Sequence, residues 1–188
     1  MIIILKIIQA GDSILRKSAK EVSITQLKSP AVQQLIDLMI ATLRDRPGVG
    51  LAAPQVGEPV ALSVIGIKPT PTRPNNATIN MVIINPVIVK TYGRKAAMWE
   101  GCVSFGDTKN FPYAKVPRYK KIRLSYDDEA GKRHEADFEG ITAHVMQHEV
   151  DHLNGVLFVD KVEDATTYMT ISEYKRRILQ NELHRGSD

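Results

Sequence analysis

The residues of this chain whose types and spacing could do chemistry are concentrated in Gln147-His148-Glu149-Val150-Asp151-His152. They sit in a segment, Ile141 to Asn154, that has helical spacing and is closed by Gly155. On a helix, positions i and i+4 project from one face a turn apart. His148 and His152 can therefore aim both imidazoles at one point, with Glu149 beside them. H-E-x-x-H is the arrangement of two metal ligands and a carboxylate base. Positions 141, 145, 148, 149 and 152 share a face, and Ile141 and Val145 make that face apolar. The histidines and the glutamate are thus expected to turn inward, where polar groups are costly unless paired. A metal ion would satisfy all three. The competing reading is a chance match on a solvated helix; the apolar face and the terminating Gly155 count against it.

A catalytic zinc-type site takes three protein ligands and keeps one position open. Candidates for the third are Cys102, His134, His144, His184, Asp160 and Glu163. Cys102 follows a glycine at an expected strand end, and its sulfur is a strong, soft donor. A lone cysteine is more often an inert small hydrophobe. Spacing leaves this choice open.

The elements that must position these groups follow from the pattern of the chain. Residues 2–8 read as an extended arm. Asp12-Ser13 offers a cap for a short helix at Ile14-Leu15-Arg16. A helix is expected from Pro30 to about Arg46, with Val32, Leu35, Ile36, Met39, Ile40 and Leu43 at helical spacing and Pro47-Gly48 as its stop. Gly48-Val49-Gly50-Leu51-Ala52-Ala53-Pro54-Gln55 matches no phosphate-binding pattern. It is either a tight connection to a strand at Val60–Ile67 or a close-packed wall that brings Gln55 to a site. Residues 68–77, with three prolines, read as a surface loop. Strands are expected at Met81–Val89, where Pro86 marks an edge or bulge, and at Lys95–Val103. Lys121–Tyr126 and Lys132–Phe138 flank a hairpin turn. Val156–Val159 reads as a short strand. Thr167–Leu183 reads as a closing helix, with Ile171, Tyr174 and Ile178 inward and Lys175-Arg176-Arg177 outward. Strand pairs outnumber crossover units, which points to an α+β fold: antiparallel sheets around the central metal-binding helix, with a C-terminal helix.

Composition bounds the rest. The chain has 188 residues, 43% hydrophobic and 24% charged. That is most economically one globular domain over residues 1–188, able to bury about 70% of its unfolded surface. A net charge of +4 allows contact with nucleic acid or a ribosome surface without arguing for specific DNA binding. The basic run from Lys115 to Arg123 reads as a solvated strand face. One cysteine cannot form an intrachain disulfide, which fits a reducing compartment. The apolar start is too short for a signal peptide or a span, and no later run reaches about 18 apolar residues. The expectation is a cytoplasmic protein, or a processed organellar one, with no membrane partner.

Gly48–Gln55, Glu100–Ser104 and Gln147–His152 together resemble the three signature motifs of the peptide deformylase family. Ile8-Gln9-Ala10-Gly11-Asp12, Leu15-Arg16 and Leu153-Asn154-Gly155 resemble that family too, so the likeness spans residues 7 to about 160. The resemblance implies that Cys102, His148 and His152 hold a divalent metal. Fe²⁺ would be the native ion, with Zn²⁺, Ni²⁺ or Co²⁺ as substitutes. It implies that Glu149 is the general acid and base, and that Gln55 and the backbone N–H of Val103 polarise the formyl oxygen. The substrate main chain would lie extended beside Val49, Gly50 and Gly101. The methionine side chain would meet the Ile141, His144 and Val145 face. The implied reaction removes the formyl group from the initiator methionine of nascent chains. Val103 stands where the family has leucine, His144 where it has arginine or an aliphatic residue, and the stretch 105–116 is lengthened. Glu100 is expected to pair with Arg118. Two other functions compete: an H-E-x-x-H metallopeptidase with a downstream ligand such as Glu163, and a deformylase-like protein with altered or lost activity.

Overall fold

The computed structural model describes residues 3–71, 74, 77–106 and 111–179. Ile2, Asn75-Asn76, residues 107–110 of the lengthened stretch, His184 and the end of the closing helix lie outside the described residues. A short helix α1 (Ile24–Leu27) leads into α2 (Pro30–Asp45). Ser29 caps α2 by accepting from the Val32 N–H, and Pro30 occupies the first turn, where no N–H is needed. Strand β1 (Gly50–Ala52), a 3₁₀ turn at Ala53–Val56, and strands β2 (Leu62–Ile67), β3 (Ile79–Gly101), β4 (Pro112–Asp127) and β5 (Arg133–Glu139) follow. Helix α3 (Gly140–Leu153) and a C-terminal segment containing β6 (Met169–Thr170) and α4 (Ile171–Tyr174) complete the order. All strand pairings are antiparallel, in the order β1-β2-β3-β4-β5, with β6 added to β4. The α+β architecture is as expected.

The two strands expected at Met81–Val89 and Lys95–Val103 are one 23-residue strand, β3. Register shifts fall between Ile84 and Val87, Ile88 and Lys90, and Tyr92 and Lys95. Bulges bend a strand without ending it. Asn85 adopts the left-handed region at φ 49°, and Gly93 does so at φ 68°. Pro86 sits in the first shift, where its missing N–H costs no ladder bond. Asn85 is held there by Val22: its side-chain oxygen accepts from the Val22 N–H, and its amide donates to the Val22 carbonyl, both at 2.9 Å.

Three other expectations are corrected. Val156–Val159 is not a strand; Phe158–Lys161 forms a 3₁₀ turn, and the Asp160 carboxylate accepts from the Leu157 N–H at 2.8 Å. The closing helix starts at Ile171 rather than Thr167, because Met169–Thr170 pairs with Pro112–Tyr113 and Thr170 caps the helix. It then loosens into a π-helical turn at Lys175–Leu179. The Lys115–Arg123 run is not a uniformly solvated face. Arg118 is buried within it, between the buried Val116 and Ile122.

The core has a layer between α2 and β1–β2, built on Ile36, Met39, Leu51 and Leu62. A second layer lies between the sheet and α3, built on Ile83, Ile122, Leu124 and Met146. Helix α3 packs against β1, β2, β3, β4 and β5. It is therefore buried on most sides and not along a single stripe, with Ala143, Met146, Val150 and Leu153 inside as well. The chemical face predicted from its spacing does turn inward. Among the described residues, no helix is long and apolar enough to cross a membrane.

Candidate metal centre and active site

The end of β3 delivers Glu100, Gly101 and then Cys102 to the face of α3. Cys102 Sγ lies 3.3 Å from His152 Nε2. One ligand atom from each of Cys102, His148 and His152 falls within 4.8 Å of the other two. Behind the sulfur, Ala114, Val116 and Phe158 form a small apolar cluster with Cys102, so the thiol is backed by hydrocarbon on one side and faces the histidines on the other.

Glu100 organises the surroundings. Its buried carboxylate accepts from Arg118 Nε at 2.6 Å and Nη2 at 3.0 Å, and hydrogen-bonds His144 Nε2 at 2.7 Å and His148 Nδ1 at 2.8 Å. Burial alone would raise its pKa; the bonds from His144, His148 and Arg118 outweigh that and hold it well below the usual carboxylate range. Arg118 also donates to Asp151 at 2.5 Å, so the buried cation has an acid on each side. Because Nδ1 of His148 is taken by Glu100, Nε2 is the nitrogen left for a ligand. A partner on the second nitrogen commonly fixes the orientation of a metal-binding histidine.

The electrostatics fit a cation. Burial lowers the His148 pKa, yet the hydrogen bonds and charges of Cys102 and Glu100 prevail and push it well above the ordinary histidine value. This corner therefore favours positive charge. His152 is driven the other way by burial and by the charge of His148, which favours the neutral imidazole that a metal ligand requires. Its Nδ1 is buried without a protein partner among the described residues. A sulfur and two imidazoles are a donor set suited to zinc or to iron. By donor chemistry and by charge, the residues fit a divalent ion.

Glu149 is 2% exposed. Burial raises its pKa to about 7, and its Oε2 has no partner among the described residues. Gly50 makes room for it: a Cβ on Gly50 would sit 2.2 Å from Glu149 Oε1. The carboxyl is thus wedged against the β1 backbone, beside the metal-type cluster. Gln55 approaches from the 3₁₀ turn. Its Oε1 accepts from the Ala52 N–H at 2.9 Å, which leaves Nε2 to point at Ser104 Oγ, 3.2 Å away, and Cys102 Sγ, 3.4 Å away.

A cleft of about 290 Å³ is lined by Val49, Gly50, Gln55, Gly101, Cys102, Val103, Ile141, His144, Val145, His148 and Glu149. Of the residues that the resemblance assigns to the site, all but His152 line this cleft; His152 lies beneath, against Cys102. Among the described residues, none of the other candidate ligands joins Cys102, His148 and His152: His144 lines the cleft but is bonded to Glu100. His134 pairs with Asp128 at 2.6 Å, Asp160 with Arg16, and Glu163 is exposed.

Several contributors escaped the sequence reading. The Ser104 N–H donates to Cys102 Sγ at 3.5 Å. Gln9 donates to the Val103 carbonyl at 3.0 Å and accepts from the Gly106 N–H at 2.7 Å, bracing the turn that follows the cysteine. Gln9 was visible only as part of a resembling stretch. Trp99, Phe111, Tyr113, Ile171, Tyr174 and Lys175 complete the cleft wall; nothing in their spacing signalled it.

Comparison with known proteins shows the family and the fold. Residues 4–168 match the family model described as polypeptide deformylase. The chain is 38% identical over 165 residues to a peptide deformylase of Mesorhizobium japonicum, covering 88% of each chain. It is 35% identical over 179 residues to peptide deformylase 2 of a Nostoc species, covering 95% of this chain and 97% of that one. Its fold superposes on the class I type b peptide deformylase of Acinetobacter baumannii, solved with Met-Ala-Ser bound, with a TM-score of 0.79. That pair is 35% identical, covering 86% of this chain and all of the other.

Proposed function

We propose, on the premise that the chain belongs to the polypeptide deformylase family, that it hydrolyses the N-formyl group from the initiator methionine of nascent polypeptides and releases formate. Cys102, His148 and His152 would hold one divalent ion, Fe²⁺ natively, with Zn²⁺, Ni²⁺ or Co²⁺ able to replace it. When bound, such an ion supplies Lewis acidity and brings the ionisation of water from 15.7 to about 7.

The rest falls to the chain's own side chains. The formyl-methionine main chain lies extended between Val49-Gly50 and Gly101, and the methionine side chain enters beside Ile141, His144 and Val145. Glu149 takes a proton from the attacking water as its oxygen bonds to the formyl carbon. A base with a pKa of about 7 is matched to neutral pH, and such assistance is typically worth ~10²–10⁴ in rate. Gln55 Nε2 and the Val103 N–H donate to the oxygen on which negative charge develops. Losing one donor of this kind costs about 2.7–4 kcal/mol. As the carbon–nitrogen bond breaks, Glu149 passes its proton to the departing amine, leaving formate and a free N-terminus.

The observation that carries this reading is a buried Glu149 oxygen without a partner, in the same cleft as a Cys-His-His cluster. The test is product analysis with the ion-loaded protein and formyl-Met-Ala-Ser. Formate and Met-Ala-Ser are expected. Cleavage at an internal amide with the formyl group retained would instead favour the metallopeptidase reading, whose suggested downstream ligand Glu163 is exposed and does not line the cleft.

The setting we infer is the cytoplasm, or an organelle after processing, where formylated chains are made. Contact with a ribosome surface through Lys175-Arg176-Arg177 is a weaker reading, since Arg176 and Arg177 both pair with Glu173. Salt-sensitive co-sedimentation with ribosomes would support it.

A further inference from the structure

Part of the cleft wall is built by residues that the family match does not reach. That match ends at residue 168, yet Ile171, Tyr174 and Lys175 line the same cleft as Cys102, His148 and Glu149. The segment is held in place by pairing of Pro112 with Thr170 and of Tyr113 with Met169. It is held also by the Tyr174 ring, which stacks on Tyr113 with centroids 4.0 Å apart and planes 3° off parallel. Tyr174 meets Trp99 edge-on at 5.7 Å. Trp99 and Gly101 are two residues apart on β3 and share a face. The space a side chain on Gly101 would need is filled by the rings of Phe111 and Tyr113, at 2.8 and 2.9 Å from an ideal Cβ. An aromatic surface therefore runs outward from the reacting end of the cleft.

Its position along the cleft identifies what it meets. Trp99 is three residues back from Cys102, about 10 Å along a strand. An extended peptide advances about 3.3–3.6 Å per residue. A chain whose formyl carbon lay at Cys102 and which ran back along β3 would bring its second and third residues in front of these rings. Aromatic pairs prefer stacked or edge-on contacts worth more than their buried area alone.

We propose that the segment Met169–Lys175 completes the cleft with an aromatic subsite, formed by Trp99, Tyr113 and Tyr174, that prefers aromatic side chains in the residues following the methionine. The substrate rests on the deformylase reading; the subsite itself rests on the lining of the cleft.

The test uses the full-length, ion-loaded protein with formyl-Met-Ala-Ala-Ala, formyl-Met-Phe-Ala-Ala and formyl-Met-Ala-Phe-Ala. One phenylalanine peptide is expected to exceed the alanine peptide in kcat/KM by about two- to tenfold, the ratio that such ring contacts amount to. Tyr174→Ala should bring the ratio close to one, and Tyr174→Phe should keep it. A ratio near one in the unaltered protein, or one that survives Tyr174→Ala, overturns the proposal. Trp99 is the only tryptophan of the chain, which gives a readout independent of turnover. The unformylated Phe peptides should alter its fluorescence where Met-Ala-Ala-Ala does not, and Tyr174→Ala should abolish the difference. If no peptide releases formate, the deformylase reading fails, and this fluorescence difference alone decides the subsite: its presence supports it and its absence overturns it. Should Tyr174→Ala fail to fold by circular dichroism, Trp99→Leu carries the kinetic comparison with the same expected loss of ratio.

Discussion

Glu149 and Glu100 are both buried glutamates near the same histidines, and their environments drive them apart. Glu149 has burial and little to oppose it, so its pKa rises to about 7. Glu100 is just as enclosed but is bonded by Arg118, His144 and His148, so it remains a carboxylate. Separated environments of this kind mark distinct acid–base and scaffolding roles. Glu149→Gln preserves shape and removes the base. It is expected to lower kcat by ~10²–10⁴ while metal content and melting temperature stay close to those of the unaltered protein. Glu100→Gln is expected to do the opposite kind of damage. It leaves the buried Arg118 with Asp151 alone, a loss of about 3 kcal/mol by analogy with broken buried pairs, and frees the His148 ring. Ion affinity should fall by about 10–100-fold, read by chelator competition. If ion binding survived and only kcat fell, the scaffolding assignment would be wrong.

At the scale of elements, the site depends on close approaches that only glycine permits. Gly50→Ala places a methyl group on Glu149 Oε1 and should cost most of the activity through displacement of that carboxylate, with secondary structure retained by circular dichroism. A second element-scale contact ties the turn after α3 to the N-terminal region: Asp160 pairs with Arg16 and accepts from the Leu157 N–H. Burial would raise the Asp160 pKa, but these partners lower it below 3.8. A carboxylate whose folded pKa is depressed adds stability above its unfolded pKa and loses it as pH falls through the folded value. Asp160→Asn should therefore lower the melting temperature at pH 7, with the gap from the unaltered protein closing below pH 3.8. A gap independent of pH would contradict that origin.

Helix α3 and its chemistry were legible because a helical period converts spacing directly into shared direction, and His148, Glu149 and His152 needed nothing more. Cys102 was legible as a donor, but its meeting with His152 depends on where β3 ends relative to α3, which is tertiary geometry. The resemblance supplied that link. The continuity of β3 through Asn85, Pro86 and Gly93 was not legible, since these residues signal breaks and the long pairing with β4 overrides them. Nor was the role of Tyr174, which reads as an ordinary inward helix residue until β6 docks on β4 and swings it to the cleft.

For the whole molecule, an ion that ties β3 to α3 binds the folded chain and stabilises it by mass action. At 100 times the dissociation constant the gain is about 2.7 kcal/mol, which for a chain of this length is roughly 5–10 °C in melting temperature. Removing the ion by chelation should lower the melting temperature by that order, and Fe²⁺ or Zn²⁺ should restore it. No shift on chelation would argue against an ion bridging these elements.

The most direct measurement is anaerobic metal quantification paired with formate release from formyl-Met-Ala-Ser, made on the unaltered protein and on Cys102→Ala. The expected result is one divalent ion per chain, formate release in proportion to ion content, and loss of both in Cys102→Ala. Formate release that persisted undiminished in Cys102→Ala without stoichiometric metal would contradict the Cys102-His148-His152 centre as the seat of the reaction.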